Sequence, residues 1–218
     1  MKRINLFLGH YGTGKTNIAI NFALMIKENV IVYDLDIVNP YFRTLDGKDM
    51  LKEANIELIA SDYANTNVDC PAMNPECYRM TRELDKFAVV DIGGDDRGAY
   101  ALGRFRNDIL KENNYDMFLI INKYRYETRT PEETIEIMKE IESVAGIKFT
   151  AIINNSNLGG ETTPEVILNS LEYAKEVSRL TNLEIKYTAI RSDLVNELKD
   201  KIDNILPMHL INYGLWVK

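Results

Sequence analysis

Residues 9 to 16 read Gly9-His10-Tyr11-Gly12-Thr13-Gly14-Lys15-Thr16, a complete G-x-x-x-x-G-K-[ST] pattern. Directly before it lies the apolar run Ile4-Asn5-Leu6-Phe7-Leu8, and directly after it Asn17 to Lys27 follows a helical pattern. Strand, loop and helix in that order is the context in which this pattern cradles phosphate. Gly9, Gly12 and Gly14 let the backbone turn tightly and aim its N–H groups at phosphate oxygens. Lys15 brings a positive charge to the β- and γ-phosphates, and Thr16 offers a hydroxyl to Mg²⁺. The helix N-terminus adds its dipole. With His10, Tyr11, Thr13 and Asn17 completing the wrap, these residues predict a nucleoside triphosphate site.

Working outward, strand-like runs alternate with helical patterns. This predicts an α/β fold: a mostly parallel, doubly wound sheet with helices on both faces. Strands are expected near 3–8, 30–35, 56–60, 87–92, 116–122, 147–153 and 184–190. Near-continuous runs such as Met117-Phe118-Leu119-Ile120-Ile121 suit strands covered on both sides. Helix starts are spelled Thr130-Pro131-Glu132-Glu133, Thr163-Pro164-Glu165 and Asn74-Pro75-Glu76, each a capping residue followed by proline and an acid. Ile135, Met138, Ile141 and Val144 form one helical stripe; Val195, Leu198, Ile202 and Ile205 form another. No linker or repeat interrupts the pattern, so residues 1–218 are expected to form a single nucleotide-binding domain.

Lys and Arg total 26 against 33 Asp and Glu, and 26 − 33 gives a formal net charge of −7. An acidic chain without a basic run argues against nucleic-acid binding, which draws its affinity from neutralised phosphates. Met1-Lys2-Arg3 leads straight into a strand, and no apolar stretch approaches the roughly 20 residues of a membrane span. A cytoplasmic protein with reduced thiols follows as the expectation. Cys70 and Cys77 have no zinc-ligand spacing around them.

Two further strand ends carry carboxylates. Val32-Tyr33-Asp34-Leu35-Asp36 closes the second strand, and alternation sets Asp34 and Asp36 on one side at its carboxyl end, where ligands bind in open α/β sheets. The helix from Thr16 to about Glu28 spans about 20 Å and returns the chain beside the first strand. One of the two aspartates is expected to hold Mg²⁺ or its waters, the other to orient or deprotonate the attacking water; Asp36 is the preferred water-positioning group and Asp34 the alternative. Phe87-Ala88-Val89-Val90-Asp91 ends in the aspartate of a magnesium-binding strand, and Asp91-Ile92-Gly93-Gly94 spells D-x-x-G. In that switch the Gly94 N–H meets the γ-phosphate. Lys15, Asp34 and Asp36 are thus the candidate catalytic residues, and Thr16, Asp34 and Asp91 the candidate metal residues.

Taken together, Gly9–Thr16, Asp34-Leu35-Asp36, Asp91–Gly94 and Ile152-Ile153-Asn154-Asn155 resemble the MinD/ParA/nitrogenase-iron-protein (SIMIBI) class of P-loop ATPases. The resemblance spans roughly residues 3 to 190 and implies an MgATP-dependent ATPase that switches a protein client. It also implies that an asparagine after the late strand, Asn154 or Asn155, contacts the adenine. Neither Asn154-Asn155-Ser156-Asn157 nor Asn122-Lys123-Tyr124-Arg125 has the aspartate of the guanine-reading N-K-x-D motif, which favours ATP over GTP. Many members carry a second lysine directly after the first loop glycine, and it ties hydrolysis to dimerisation. Here that position is His10, shorter and only partly charged at neutral pH. A nucleotide-dependent homodimer, a phosphate contact in cis and work as a monomer all stay open. Arg43 and Arg97, beside the two switches, are candidate charge stabilisers.

The same site would serve a small-molecule kinase or an ATP-dependent ligase of the dethiobiotin-synthetase type, with Ser61–Met73 and Arg97–Arg106 forming an acceptor pocket. It would also serve a nucleotide-gated binding module with negligible hydrolysis. The tail, Pro207 to Lys218, is apolar and aromatic with one lysine, so it suits packing on the domain better than membrane binding.

Overall fold

A computed structural model describes residues 1–36, 47–60, 73–94 and 96–209. Among the described residues eight strands form one sheet: β1 (Ile4–Leu8), β2 (Val30–Asp34), β3 (Glu57–Ile59), β4 (Phe87–Asp91), β5 (Tyr115–Ile121), β6 (Ala151–Asn154), β7 (Glu184–Arg191) and β8 (Ile205–Met208). Their order is β3-β2-β4-β1-β5-β6-β7-β8, and every pairing is parallel. The helices are α1 (Lys15–Ile26), α2 (Lys48–Glu53), α3 (Asp96–Gly103), α4 (Arg106–Glu112), α5 (Pro131–Ala145), α6 (Pro164–Leu168), α7 (Leu171–Thr181) and α8 (Val195–Leu198).

Strand alternation divides the core into two layers. Phe7, Val32, Val89, Phe118 and Ile153 face α1, while Leu6, Tyr33, Val90, Leu119 and Ile152 face α3, α4, α5 and α7. The rings of Phe7, Phe22 and Phe118 meet with centroids 5.2–5.8 Å apart, locking α1 against β1 and β5 beneath the phosphate loop. Such pairs each add about 0.5–1.5 kcal/mol beyond burial. Because α1 and α3 leave the adjacent strands β1 and β4 toward opposite faces, a crevice opens at the carboxyl ends of those two strands.

The helix starts follow the sequence. Thr130 and Glu133 form a reciprocal capping box on α5, and Thr163 caps α6. Asn74 accepts the Glu76 N–H, but the segment it opens, Pro75–Thr81, is a 3₁₀ helix. Within the α5 stripe Met138 and Ile141 are buried, whereas Val144 stays exposed.

Two expectations are corrected. Ile205 does not extend a helix with Val195 and Leu198: α8 ends at Leu198 and Ile205 opens β8, although all three still pack in one apolar cluster with Ile167 and Ile190. The strand expected at 147–153 pairs only over Ala151–Asn154. Before it, side chains share the bonding with the backbone: Glu142 accepts the Phe149 N–H at 3.0 Å, the Thr150 hydroxyl accepts the Met117 N–H at 2.9 Å, and the Thr150 N–H donates to the Met117 carbonyl at 2.9 Å.

Candidate functional site

The phosphate loop sits where β1 runs into α1, and its shape depends on missing side chains. Gly9 (φ 154°) has no room for a Cβ, which would lie 2.4 Å from the Ile120 carbonyl oxygen. Gly14 (φ 88°) is left-handed, and a Cβ there would strike Asn155 Nδ2 at 2.4 Å. Within the loop the Thr13 N–H and hydroxyl both donate to the His10 carbonyl, at 3.2 and 2.8 Å. Lys15, buried with 7% of its surface exposed, reaches the same carbonyl from Nζ at 3.3 Å. Unlike α5, α1 starts at Gly14 with no side-chain cap and no acidic residue in its first turn. Its N-terminal dipole therefore faces the loop with no carboxylate from the helix itself to cap it. Asn17, in that turn, is half-buried, and its carbonyl accepts from Asn21.

On the β4 side the switch elements meet the loop. The Thr16 hydroxyl donates to Asp91 Oδ2 at 2.6 Å. Asp34 is the register partner of Asp91 on the neighbouring strand, and both are buried. Asp34 Oδ1 accepts the Asp36 N–H at 2.9 Å, turning the chain beyond β2. Two buried carboxylates in register repel each other unless a cation lies between or beside them. Gly94 is packed on the phosphate loop: a Cβ on it would fall 2.7 Å from Lys15 Nζ and 2.8 Å from both the Gly9 carbonyl oxygen and the Tyr11 nitrogen. Among the described residues no three His, Cys, Asp or Glu side chains gather to ligate an ion. Thr16, Asp91 and Asp34 supply the one hydroxyl and one or two carboxylates that Mg²⁺, which keeps waters and phosphate oxygens, needs from a protein. The glycine cradle, the uncapped helix start and Lys15 fit a polyphosphate equally.

On the other side, the loops after β5 and β6 brace the same structure. Asn155 Nδ2 donates to the Thr13 carbonyl at 2.6 Å, and buried Asn154 bonds Ser170 and Ser156. Both amides thus have partners within the protein. His10 Nε2 pairs with Glu127 Oε2 at 2.6 Å. Arg125 lies along Gly12, its Nε 3.6 Å from the point a Cβ would occupy. Tyr11 projects from the loop, 57% exposed. Arg97 is exposed on α3.

The structure therefore brings Gly9–Thr16, Asp34, Asp91, Gly94 and Asn155 together at one crevice. Arg43, Asp95, Cys70, Ser61–Ala72 and Leu210–Lys218 lie outside the described residues. Cys77 is buried, and burial first, then the nearby Asp34 carboxylate, pushes its thiol up to about 12. The sequence reading missed Arg125 and Glu127. Their signal was their place directly after β5, once β5 is known to neighbour β1.

Residues 9–162 match the family model described as the CobQ/CobB/MinD/ParA nucleotide binding domain, and the chain belongs to that family. No curated protein matches it. Solved structures share its fold. FtsY from Mycoplasma mycoides is 17% identical, with a TM-score of 0.57 over 85% of this chain and 60% of that one. Cell division protein FtsY from Thermotoga maritima is 17% identical, with a TM-score of 0.56 over 87% of this chain and 62% of that one. The signal recognition particle 54 kDa protein from Aeropyrum pernix K1, in complex with GDP, is 16% identical, with a TM-score of 0.56 over 86% and 41%. The chain thus spans about two-fifths to three-fifths of these proteins' length, and at such identities the likeness is one of fold.

Proposed function

We propose that residues 1–218 form one nucleotide-binding domain that binds and hydrolyses MgATP and uses the γ-phosphate to switch its hold on a protein client. The observation that carries this reading is the contact of Gly94 with Lys15 and the loop backbone, beside the Thr16–Asp91 bond. A terminal phosphate held by Lys15 would lie within reach of the Gly94 N–H, so its loss would change the D-x-x-G segment and the start of α3. Bound Mg²⁺ would neutralise charge developing on the phosphates, with Thr16, Asp91 and Asp34 as its protein-side holders. Lys15 and the loop amides would stabilise the same charge, and Asp36, or in its place Asp34, would orient the attacking water.

Adenine over guanine is supported by the loops after β5 and β6: neither Asn122-Lys123-Tyr124-Arg125 nor Asn154-Asn155-Ser156-Asn157 has a carboxylate to accept the guanine N1–H and amino group.

Hydrogen exchange with ATP, ADP and no nucleotide, run alongside phosphate release and calorimetry, tests the proposal. ATP should protect amides in 91–103 more than ADP does, turnover should be slow, and Lys15→Ala should abolish binding. Equal protection by the two nucleotides would sink the switch. ADP release that depends on an added small-molecule acceptor would favour a kinase or ligase instead. ATP-specific protection without turnover would favour a gated binding module.

A further inference from the structure

We propose that Arg125 is a positioning residue for the nucleotide, a cation of the chain's own that closes over the phosphate loop from the β5 side and holds the α- and β-phosphates. This rests on the nucleotide-binding reading above. The side chain runs along Gly12, with Nε, Cδ and Cζ at 3.6, 3.7 and 3.7 Å from the position of a Gly12 Cβ. That is ordinary van der Waals contact, so the group is laid on the loop. Among the described residues its guanidinium makes no hydrogen bond or ion pair. Arg3, Arg79, Arg179 and Arg191 each bind a carboxylate. An uncommitted guanidinium beside an anion cradle, in a chain of net charge −7, is a ready fork for phosphate oxygens.

The backbone beneath Arg125 is held in place. The Arg125 N–H donates to the Asn122 carbonyl at 3.1 Å, the Tyr124 N–H to Asn122 Oδ1 at 3.0 Å, and the Thr128 hydroxyl to the Asn122 carbonyl at 2.8 Å. The His10–Glu127 pair then straps this turn to the phosphate loop. Only the arginine side chain must be ordered when it grips a ligand, which lowers the entropic cost.

Sheet order decides which phosphates it meets. β4 flanks β1 on one side and carries Asp91 and Gly94, the metal and γ-phosphate end. β5 flanks β1 on the other side and carries Arg125. A cation on that side acts on the part of the ligand common to ADP and ATP, and stands away from the bond that breaks.

Calorimetry of wild type, Arg125→Ala, Arg125→Lys and Lys15→Ala with MgATP, MgADP and adenosine tests this. Arg125→Ala should lose about five- to twentyfold for ATP and ADP alike, the scale of a partly exposed charge-assisted contact. Adenosine binding should be unmoved, and the salt dependence of nucleotide affinity should weaken. Arg125→Lys should recover part of the affinity, having the charge without the fork. Unchanged affinity in Arg125→Ala, with wild type binding and Lys15→Ala not, overturns the inference alone. A loss confined to ATP, or shared by adenosine, overturns it as well. Failure of wild type to bind any nucleotide overturns both readings. Arg125 is exposed, so its variants should fold, and melting curves matching wild type would show that they do.

Discussion

Replacing Gly94 with alanine puts one methyl group where three atoms already are. The added carbon would lie 2.7 Å from Lys15 Nζ, 2.8 Å from the Gly9 carbonyl oxygen and 2.8 Å from the Tyr11 nitrogen. Lys15 Nζ ends a flexible side chain and can give way. The other two atoms belong to the phosphate-loop backbone, which the sheet and α1 hold. Restoring ordinary contact requires the D-x-x-G segment to withdraw by roughly 0.6 Å, an overpacking strain of about 1–3 kcal/mol. That cost falls on the arrangement in which Gly94 touches the loop and vanishes when the segment lifts away. If a triphosphate is recognised in the touching arrangement and a diphosphate is indifferent to it, ATP affinity falls by about five- to 150-fold while ADP affinity holds. Titration with fluorescent ATP and ADP analogues reads the two constants separately. Gly103→Ala is the control, since a Cβ there meets Ala145 and Val144 carbonyl oxygens at an unstrained 3.8 Å. Equal losses for ATP and ADP, or none, would refute the claim that Gly94 couples to the third phosphate.

Other parts of the molecule carry expectations of their own. Buried Arg3 donates to Glu112 and to the carbonyls of Met80, Glu83 and Lys86, so Arg3→Ala should cost about 2–4 kcal/mol in urea unfolding and leave the ATP dissociation constant unchanged. Hydrogen bonds from Arg79 hold the carboxyls of Glu57 and Glu83 below the usual range. A folded-state value below the unfolded one stabilises at neutral pH and fades as pH falls through the folded value. The Tm gap between wild type and Glu57→Gln should therefore be small, as suits an exposed pair, and should close as the pH falls below the usual carboxylate range. In a Cys70→Ser background, Cys77 should stay unreactive toward a thiol reagent at pH 8 until denaturant is added, because burial holds it as the thiol. Rapid labelling of the native protein would contradict its placement beneath β2.

What could be read in advance followed from local chemistry. Strand β1, the glycine loop, the capped starts of α5 and α6 and the acidic ends of β2 and β4 are each written within a few consecutive residues. Strand β8 was hidden because it is short, contains Pro207 and begins at Ile205, which also fits a helical stripe. Proline is tolerated there because, among the described residues, β8 is an edge strand bonded only to β7, and Pro207 is exposed. The bracing of the phosphate loop was hidden for a different reason. Asn155 and Thr13 stand 142 positions apart, and His10 and Glu127 are likewise remote in sequence. Only the spatial order β1-β5-β6 brings them together, and an alternation of strands and helices does not specify that order.

That order also divides the loop's attachments by chemical kind. Toward β5 and β6 it is tied by Asn155 to a carbonyl, by the His10–Glu127 pair and by the Arg125 side chain along Gly12. None of these groups lies on the β4 side, where the metal and the third phosphate would be held. Toward β4 it is tied by a hydroxyl on a carboxylate and by the close approach of a glycine, Thr16 to Asp91 and Gly94 to the loop. Those two contacts involve the very groups that would hold the metal and the third phosphate, so a ligand enters by rearranging them. A structure anchored on one flank and ligand-replaceable on the other would respond asymmetrically: under the proposed switch, energy from a γ-phosphate would be directed into β4 and α3, with the β5–β6 flank as the fixed frame. On this reasoning a client would find its nucleotide-dependent surface around α3. His10, held in cis by Glu127, then belongs to the frame rather than to the moving part.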